Sequence, residues 1–204
     1  MFIIGITGGT GAGKTSALRA IETLGALVLD CDMIYHELLT TSQELKTELE
    51  LRFCGVLTDG IIDRKRLGEI VWSDQSALRE LNIITHSYVG AEVAKSLMKW
   101  EAQGGSVAAI EAIALIESGM RGKCDIIVGI TAPADVRISR IMKRDGITRK
   151  QAEARISAQK PGDFFAENCD YLLDGTCATQ AEFEEKCKIF FANLIGGRTN
   201  AREK

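Results

Sequence analysis

The sequence has few residues of the kind that bind zinc, and those it has are scattered. Its 204 residues include six cysteines and two histidines, and no two cysteines have the spacing C-x-x-C. A structural zinc site takes four such ligands at short spacing, so the pattern argues against one. We expect the cysteines to be small buried thiols in a reducing compartment.

Long apolar runs and an excess of positive charge are also missing. No apolar run reaches the roughly 20 residues of a membrane span, and residues 1–6 lack the basic segment of a signal peptide, so we expect no membrane association. The net charge of −3 argues against nucleic-acid binding by bulk charge. With 46% hydrophobic and 26% charged residues, the composition is that of a globular protein.

Short apolar runs alternate with longer helical patterns, which predicts an α/β sandwich around a parallel sheet. The predicted strands are Phe2 to Thr7, Ala26 to Asp30, Val107 to Ala112, Cys124 to Ile130 and Tyr171 to Leu173. The predicted helices are Lys14 to Leu24, Met33 to Phe53, about Asp74 to Gln103, Ala134 to Arg144, Arg149 to Gln159 and Ala178 to Ile195.

The predicted core is interrupted twice. More than seventy residues separate the second and third strands, too many for one crossover, so we expect a helical insertion at about 33–103. A smaller helical pair occupies about 134–164, where Pro133 opens the first helix, Thr148 and Gln151 form a capping box, and Pro161 closes the second helix. The core then comprises about 1–32, 104–133 and 165–197, and we expect residues 196–204 to be a frayed tail.

One motif carries chemistry without a mismatch. After the first strand the chain reads Gly8, Gly9, Thr10, Gly11, Ala12, Gly13, Lys14 and Thr15, followed by Ser16, and matches G-x-x-x-x-G-K-[ST]. The glycines let backbone N–H groups form an anion-binding nest at a helix N-terminus. Lys14 is placed to reach the β- and γ-phosphates, and the Thr15 hydroxyl to bind Mg²⁺. The motif therefore predicts nucleoside triphosphate binding and leaves the acceptor unnamed.

Two carboxylates follow the second predicted strand, in Asp30, Cys31 and Asp32. The carboxyl ends of parallel strands face the ligand crevice, so Asp32 is a candidate to accept a proton from an attacking hydroxyl or to hold metal-bound water. Asp30 is equally suited to cap the next helix.

Positive charge is concentrated in residues 135–160, with eight basic side chains against three acidic ones. Arg137, Arg140 and Arg144 recur on one helix face, where a lid over the phosphates needs cations, and Arg155 lies on the next helix. A solvated basic face is the alternative, and the segment lacks the interleaved aromatics of a nucleic-acid surface. The pattern alone does not decide whether Glu111 or Glu117 lies at the crevice, and a lone His86 is more often structural.

The sequence resembles the dephospho-coenzyme A kinase family over nearly its whole length. The matching segments are Gly5 to Thr15 (G-L-T-G-G-I-G-S-G-K-S), Asp30 to Ile34 (D-A-D-x-I), Phe53 to Gly55 and Leu57 to Arg64 (R-F-G…D-G-x-L-D-R), Ile116 to Met120 (F-E-S-G-L), Arg140 to Gly146 (R-L-x-x-R-D-G) and Ala154 to Gln159 (A-x-x-R-I-x-x-Q). The chain departs from the family pattern at three places. Ser87 stands where the family usually has the proline of His-Pro, and Gly175 where it often has the asparagine of D-N. The segment Glu111 to Glu117 replaces the usual D-V-P-L-L-F-E.

The resemblance implies transfer of the γ-phosphate of ATP to the ribose 3′-hydroxyl of dephospho-coenzyme A, with Mg²⁺, in the cytoplasm. It implies a P-loop kinase fold of five parallel strands, with the insertion binding the acceptor and residues 134–164 acting as a lid. Asp32 would be the base, with Lys14 and Arg140, joined by Arg144, neutralising the transferred phosphoryl group. His86, Glu117 and Arg155, together with Asp32, would line the acceptor site. We expect a monomer or a weak homo-oligomer.

Two other functions remain open at this point. One is a P-loop kinase for another small acceptor, such as a nucleoside monophosphate or a sugar acid. The other is a non-catalytic ATP-binding regulator, for which the changed acceptor-site residues are the sequence hint. A nucleic-acid kinase or motor fits the acidic, short chain less well.

Overall fold

The computed structural model describes residues 1–202, in which strands and helices alternate around one long helical segment. The strands are β1 (Phe2–Gly8), β2 (Leu27–Asp30), β3 (Leu57–Thr58), β4 (Ile61–Ile62), β5 (Val107–Glu111), β6 (Ile126–Thr131) and β7 (Tyr171–Asp174). The α-helices are α1 (Lys14–Glu22), α2 (Cys31–Thr41), α3 (Gln43–Phe53), α4 (Arg64–Ser73), α5 (Gln75–Ala102), α6 (Ala134–Asp145), α7 (Arg149–Ser157), α8 (Gly162–Asn168) and α9 (Gln180–Arg202).

The main sheet has five strands in the order β2-β5-β1-β6-β7. The pairs β1–β5, β1–β6 and β6–β7 are parallel, with Ile6 opposite Glu111 and Gly8 opposite Ile130. The predicted α/β fold with a five-stranded parallel sheet is confirmed. The central strands β5, β1 and β6 are buried at nearly every position and read as near-continuous apolar runs, which is why the sequence predicts them. The edge strand β7 was predicted from a shorter apolar run, and its Tyr171 and Leu172 are exposed.

Different elements cover the two faces of this sheet. On one face, Ile4 and Ile6 of β1 share a core with Ile21 of α1 and Phe191 of α9, all four completely buried. On the other face, α8 packs on β6 and β7, and a short 3-10 helix (Met120–Lys123) lies against β1. The sheet is therefore the middle of three layers.

The chain divides into two compact units. The sheet unit comprises residues 1–29 and the chain from Trp100 onward, and the helical unit comprises Asp30–Lys99. No helix among residues 1–202 combines the length and apolar character that crossing a membrane requires.

The helical unit has a core of its own, in which Leu45, Leu49 and Val56 are fully buried. Side chains define where its helices begin. The Ser42 hydroxyl accepts the N–H of Leu45 at the start of α3, and the Asp63 carboxylate accepts two N–H groups at the start of α4. Such caps satisfy backbone donors that a first turn leaves without partners.

Three local predictions are wrong. The helix predicted from Met33 to Phe53 is two helices, since the backbone of Ser42 is extended (φ −86°, ψ 110°) and its side chain caps a new helix. Pro161 opens α8 rather than closing α7, which ends at Ser157. The tail expected at 196–204 is helical through Arg202, and residues 203–204 lie outside the described part of the chain.

The cysteine prediction is correct in part. All six are thiols, and Cys31 and Cys187 are buried as expected. Cys54 is exposed, because it follows the last residue of α3 at the surface of the helical unit.

Candidate active site

The phosphate-binding motif forms the loop between β1 and α1. The N–H of Ala12 donates to the carbonyl of Gly9 over 3.1 Å, and the N–H groups of Ser16 and Ala17 donate to Gly13 at 3.0 and 3.2 Å. Gly11 and Gly13 have φ values of 79° and 120°, a region that side chains disfavour. The glycine spacing of the motif therefore follows from the backbone path of this loop.

Close packing fixes the loop on the sheet unit. A Cβ on Gly13 would lie 2.8 Å from the ring of Phe183 in α9, and one on Gly8 would overlap the carbonyl oxygen of Ile130. The loop is therefore held by the hydrophobic core beneath it, and any side chain at these two positions would push it away.

The start of α1 suits an anion. Its first turn contains no acidic residue, and Gly13 as N-cap makes no side-chain hydrogen bond to it. The partial positive charge of the helix end and the N–H groups of Lys14 and Thr15 are therefore available to a phosphate, whereas those of Ser16 and Ala17 bind Gly13. Thr15 is exposed in this turn, whereas Ser16 is buried against the core.

Lys14 is paired with a buried carboxylate. Its Nζ lies 3.4 Å from Oε1 of Glu111, and both side chains are about nine-tenths buried. Glu111 is the last residue of β5 and lies opposite Ile6 of β1, so the sheet register carries it to the P-loop. The sequence pattern did not decide whether Glu111 lies at the site. The signal that could have placed it there is its position at the end of a strand that pairs with β1.

Arg140 of α6 contacts the P-loop backbone. Its guanidinium donates to the carbonyls of Gly11 at 3.2 Å and Ala12 at 3.3 Å, and to the carbonyl of Gly175 at 2.8 Å. The sequence placed Arg140 at the phosphates, and the structure places it directly beside the loop that would hold them. It joins that loop to the segment after β7.

Gly175 is one of the positions where the chain departs from the family pattern, and its lack of a side chain lets its backbone lie beside the P-loop, within reach of Arg140. A Cβ here would overlap the carbonyl oxygen of Ala12. The N–H of Gly175 donates to Thr131 over 2.7 Å, which continues the pairing of β6 and β7. Its backbone therefore approaches the P-loop more closely than a residue with a side chain could.

Arg137, one turn before Arg140, binds Thr10. Its Nε donates to the carbonyl of Thr10 over 2.9 Å, and one terminal nitrogen donates to Oε1 of Gln159 over 2.7 Å. Gln159 also binds the N–H and the hydroxyl of Thr10, at 2.9 and 2.6 Å. Burial lowers the pKa of the Arg137 guanidinium. Arg137 was predicted on the lid face with Arg140 and Arg144 but was given no place in the site, and Gln159 was noted only as the end of the R-I-x-x-Q string.

Arg144 and Arg155 point to a different partner. Nε of Arg144 lies 2.7 Å from Asp145, and a terminal nitrogen of Arg155 lies 2.5 Å from the same carboxylate. The hydrogen bond from Arg144, with that from Arg155, lowers the pKa of Asp145. The three arginines predicted on one face of α6 therefore separate into two at the P-loop and one at the end of the helix.

The remaining predicted residues are spread over both units. In the helical unit, the Asp30 carboxylate accepts the N–H of Met33 over 3.0 Å and caps α2, which confirms the capping alternative. Asp32 is exposed in the first turn of α2, and His86 is half-buried in the middle of α5. In the sheet unit, Glu117 is exposed in the turns that follow β5.

Comparison with known proteins identifies the family. The profile of the family described as dephospho-CoA kinase matches residues 2–180. A dephospho-CoA kinase from Geobacter sulfurreducens is 33% identical over 194 residues, which are 94% of this chain and 98% of that protein.

Two solved structures have the same fold. The Thermus thermophilus protein TT1252 has a TM-score of 0.79 at 28% identity, with 95% of this chain and 97% of that one covered. A dephospho-CoA kinase from Campylobacter jejuni has a TM-score of 0.69 at 23% identity, with 96% and 98% covered, and shows likeness of fold. From the profile match and the Geobacter relative, the chain belongs to the dephospho-CoA kinase family.

Proposed function

We propose that the chain transfers the γ-phosphate of ATP to the ribose 3′-hydroxyl of dephospho-coenzyme A, the last step of coenzyme A synthesis. The observation that supports this function is a complete phosphate-binding loop, including Lys14, in a chain of the dephospho-CoA kinase family. The enzyme is a phosphotransferase that acts on an alcohol group. We place it in the cytoplasm, as a monomer or a weak homo-oligomer.

Phosphate binding is assigned to the loop and the cations around it. Backbone N–H groups of the segment Gly8 to Ser16 hold the β-phosphate, and Lys14 moves from Glu111 toward the transferred group. Arg140 and Arg144 add positive charge as the phosphoryl group leaves ADP. The contacts of Arg140 with Gly11 and Ala12 support this assignment, because they place its guanidinium next to the loop.

Magnesium is expected to enter with ATP. Mg²⁺ prefers oxygen ligands and usually takes one or two protein groups along with phosphates and water. The exposed Thr15 hydroxyl in the first turn of α1 fits this, and the Glu111 carboxylate supplies negative charge near the loop. Among the side chains that the structure describes, those of residues 1–197, no group of three or more His, Cys, Asp or Glu could hold a metal ion. When bound, the ion neutralises phosphate charge.

Acceptor binding is assigned to Asp32, His86, Glu117 and Arg155. Asp32 takes the proton of the attacking 3′-hydroxyl and aligns its oxygen with the γ-phosphate. The exposure of Asp32 at the start of α2 supports this role, since a general base must reach its substrate.

The direct test is ADP release from Mg·ATP with dephospho-coenzyme A, AMP or gluconate as acceptor. We expect strong stimulation by dephospho-coenzyme A alone. Stimulation by one of the others would instead establish a kinase for that acceptor. ATP binding with no stimulated release would indicate a regulator.

Substitutions at Asp32 and Lys14 test the assigned roles. Asp32→Asn should lower kcat by roughly 10²–10⁴-fold, as for loss of a positioned base. ATP affinity should be unchanged in this variant, whereas Lys14→Ala should weaken it. Asp163→Asn, the same change at an exposed position of α8, is the matched control. Turnover of Asp32→Asn close to that of the control would remove Asp32 from the mechanism.

A further inference from the structure

Three residues that are far apart in sequence form one hydrogen-bonded cluster on the P-loop, which we call the Thr10 clamp: Thr10, Arg137 and Gln159. Four hydrogen bonds of 2.6 to 2.9 Å join them, and all three residues are half-buried. The clamp connects the loop to α6 and to the turn that follows α7. It is separate from the Arg140 contacts, which reach the carbonyls of Gly11 and Ala12.

The amide of Gln159 fits Thr10 in one orientation. Its Oε1 accepts the Thr10 N–H at 2.9 Å and an Arg137 nitrogen at 2.7 Å, while its Nε2 donates to the Thr10 hydroxyl at 2.6 Å. Rotating the amide by half a turn would place its NH2 group against two other donors, the Thr10 N–H and the Arg137 guanidinium. Three hydrogen bonds therefore fix the orientation of the Gln159 amide.

Arg137 binds the carbonyl group of Thr10, whereas Gln159 binds its N–H and hydroxyl groups. Its Nε binds the Thr10 carbonyl, so both backbone polar groups of Thr10 are held from outside the loop. A Cβ on Gly9 would overlap the Arg137 guanidinium, and one on Gly11 would lie 2.9 Å from the Arg137 carbonyl. The glycines on either side of Thr10 thus allow α6 to lie directly on the loop.

We propose that Arg137 and Gln159 are positioning residues for ATP, which hold the peptide groups of Thr10 so that the next N–H groups of the loop face the β-phosphate. A loop already fixed in its binding conformation loses less conformational freedom when the nucleotide binds. Loss of the clamp therefore weakens nucleotide binding more than it slows the chemical step. This inference rests on the proposed function only for the identity of the nucleotide.

The test is Gln159→Leu, which keeps the approximate volume and removes all three contacts. We expect the KM for ATP and the Kd for ADP, measured by calorimetric titration, to rise about tenfold, the effect of losing a few net hydrogen bonds. We expect kcat to change less than about threefold. Gln180→Leu, the same change at an exposed glutamine of α9, should bind ADP as the wild type does.

Two variants at Thr10 separate the clamp from general damage to the fold. Thr10→Ser keeps the hydroxyl and should bind ADP nearly as the wild type does, whereas Thr10→Val should bind it about threefold more weakly. Thr10→Val combined with Gln159→Leu should be no worse than Gln159→Leu alone, because the hydroxyl has then lost its partner. If Gln159→Leu fails to fold, the comparison of Thr10→Ser with Thr10→Val decides.

The proposal is overturned if Gln159→Leu binds ADP as tightly as the wild type, or if the Thr10→Val and Gln159→Leu effects multiply in the double variant. It is also overturned if kcat falls while ADP affinity is kept. The ADP titration needs no acceptor, so it decides on the clamp even if the wild type fails to phosphorylate dephospho-coenzyme A. That second failure would refute the proposed function alone.

Discussion

Lys14, to which we assign phosphate binding, is paired with a buried carboxylate in the structure. Lys14 and Glu111 are both nearly buried, and their charged atoms lie 3.4 Å apart. Two charges removed from water cost free energy unless they meet, so each partner stabilises the other in the nucleotide-free protein. In the proposed function, nucleotide binding would replace the Glu111 carboxylate with a phosphate as the anionic partner of Lys14.

Glu111→Gln should therefore destabilise the protein without nucleotide. The neutral amide leaves the Lys14 ammonium buried without its counter-charge, and we expect the free energy of unfolding in urea to fall by about 3–5 kcal/mol. Glu101→Gln is the matched control, because Glu101 pairs with the Met1 ammonium but its side chain is 60% exposed. That control should cost less than about 1 kcal/mol. Equal losses in the two variants would contradict a buried pair.

Sequence alone identified some residues of the site and not others, for a physical reason. The residues from Gly8 to Thr15 were found because their spacing is imposed by the backbone of one loop. Glu111 was left undecided, Arg137 was placed only on a lid face, and Gln159 was given no role, because each reaches the loop from a distant segment through strand register or helix packing. The roles assigned to Asp32, His86, Glu117 and Arg155 stay predictions.

At the scale of elements, one carboxylate ties two helices together. Asp145 ends α6 and binds Arg144 of the same helix and Arg155 of α7. Thr148 begins α7 with a full capping box, as the sequence predicted. The pair of helices thus has a defined turn as well as an ionic contact, and α6 carries the two arginines that contact the P-loop.

The stability contributed by Asp145 should depend on pH. Its two arginines hold its pKa below the unfolded value, which is about 3.9. The contribution is therefore complete above that value and is lost as the pH falls through the lower pKa of the folded state. The wild type should lose unfolding free energy more steeply as the pH falls below about 4 than Asp145→Asn does. Urea titrations across that range measure this, with Asp163→Asn as the comparison; parallel curves for wild type and Asp145→Asn would refute it.

Some elements were not predicted from the sequence because a single side chain or tertiary packing determines where they begin. The division between α2 and α3 depends on the Ser42 hydroxyl, in the middle of a helical pattern that otherwise continues. α8 is only seven residues long, with Pro161 at its N-cap position and Phe165 buried. The five strands of the main sheet required no such detail, because their apolar runs are unambiguous.

At the scale of the whole molecule, the cysteines should differ widely in reactivity. Burial raises the pKa of Cys124 and Cys187 to about 12 and that of Cys169 to about 11, so their thiolate fractions are negligible at neutral pH. Cys54 is exposed in the helical unit.

Brief labelling of the native protein with a maleimide, followed by peptide mass spectrometry, should therefore modify Cys54 first. Cys124, Cys169 and Cys187 should react only after unfolding in urea. Labelling of Cys187 at the rate of Cys54 would show that the packing of α9 on the sheet is looser than the structure describes.

The chain has two tryptophans, and the division into two units gives one to each. Trp72 of α4 is 88% exposed, whereas Trp100 is half-buried, and its indole N–H donates to the carbonyl of Val107 over 2.9 Å. Emission from Trp72 is therefore open to iodide quenching, and that from Trp100 is shielded. Replacing Trp72 with phenylalanine leaves Trp100 as the tryptophan fluorophore, in the last turn of α5 and hydrogen-bonded to the first residue of β5. Tryptophan emission from that variant then reports on the surroundings of Trp100 in the sheet unit, without any attached dye.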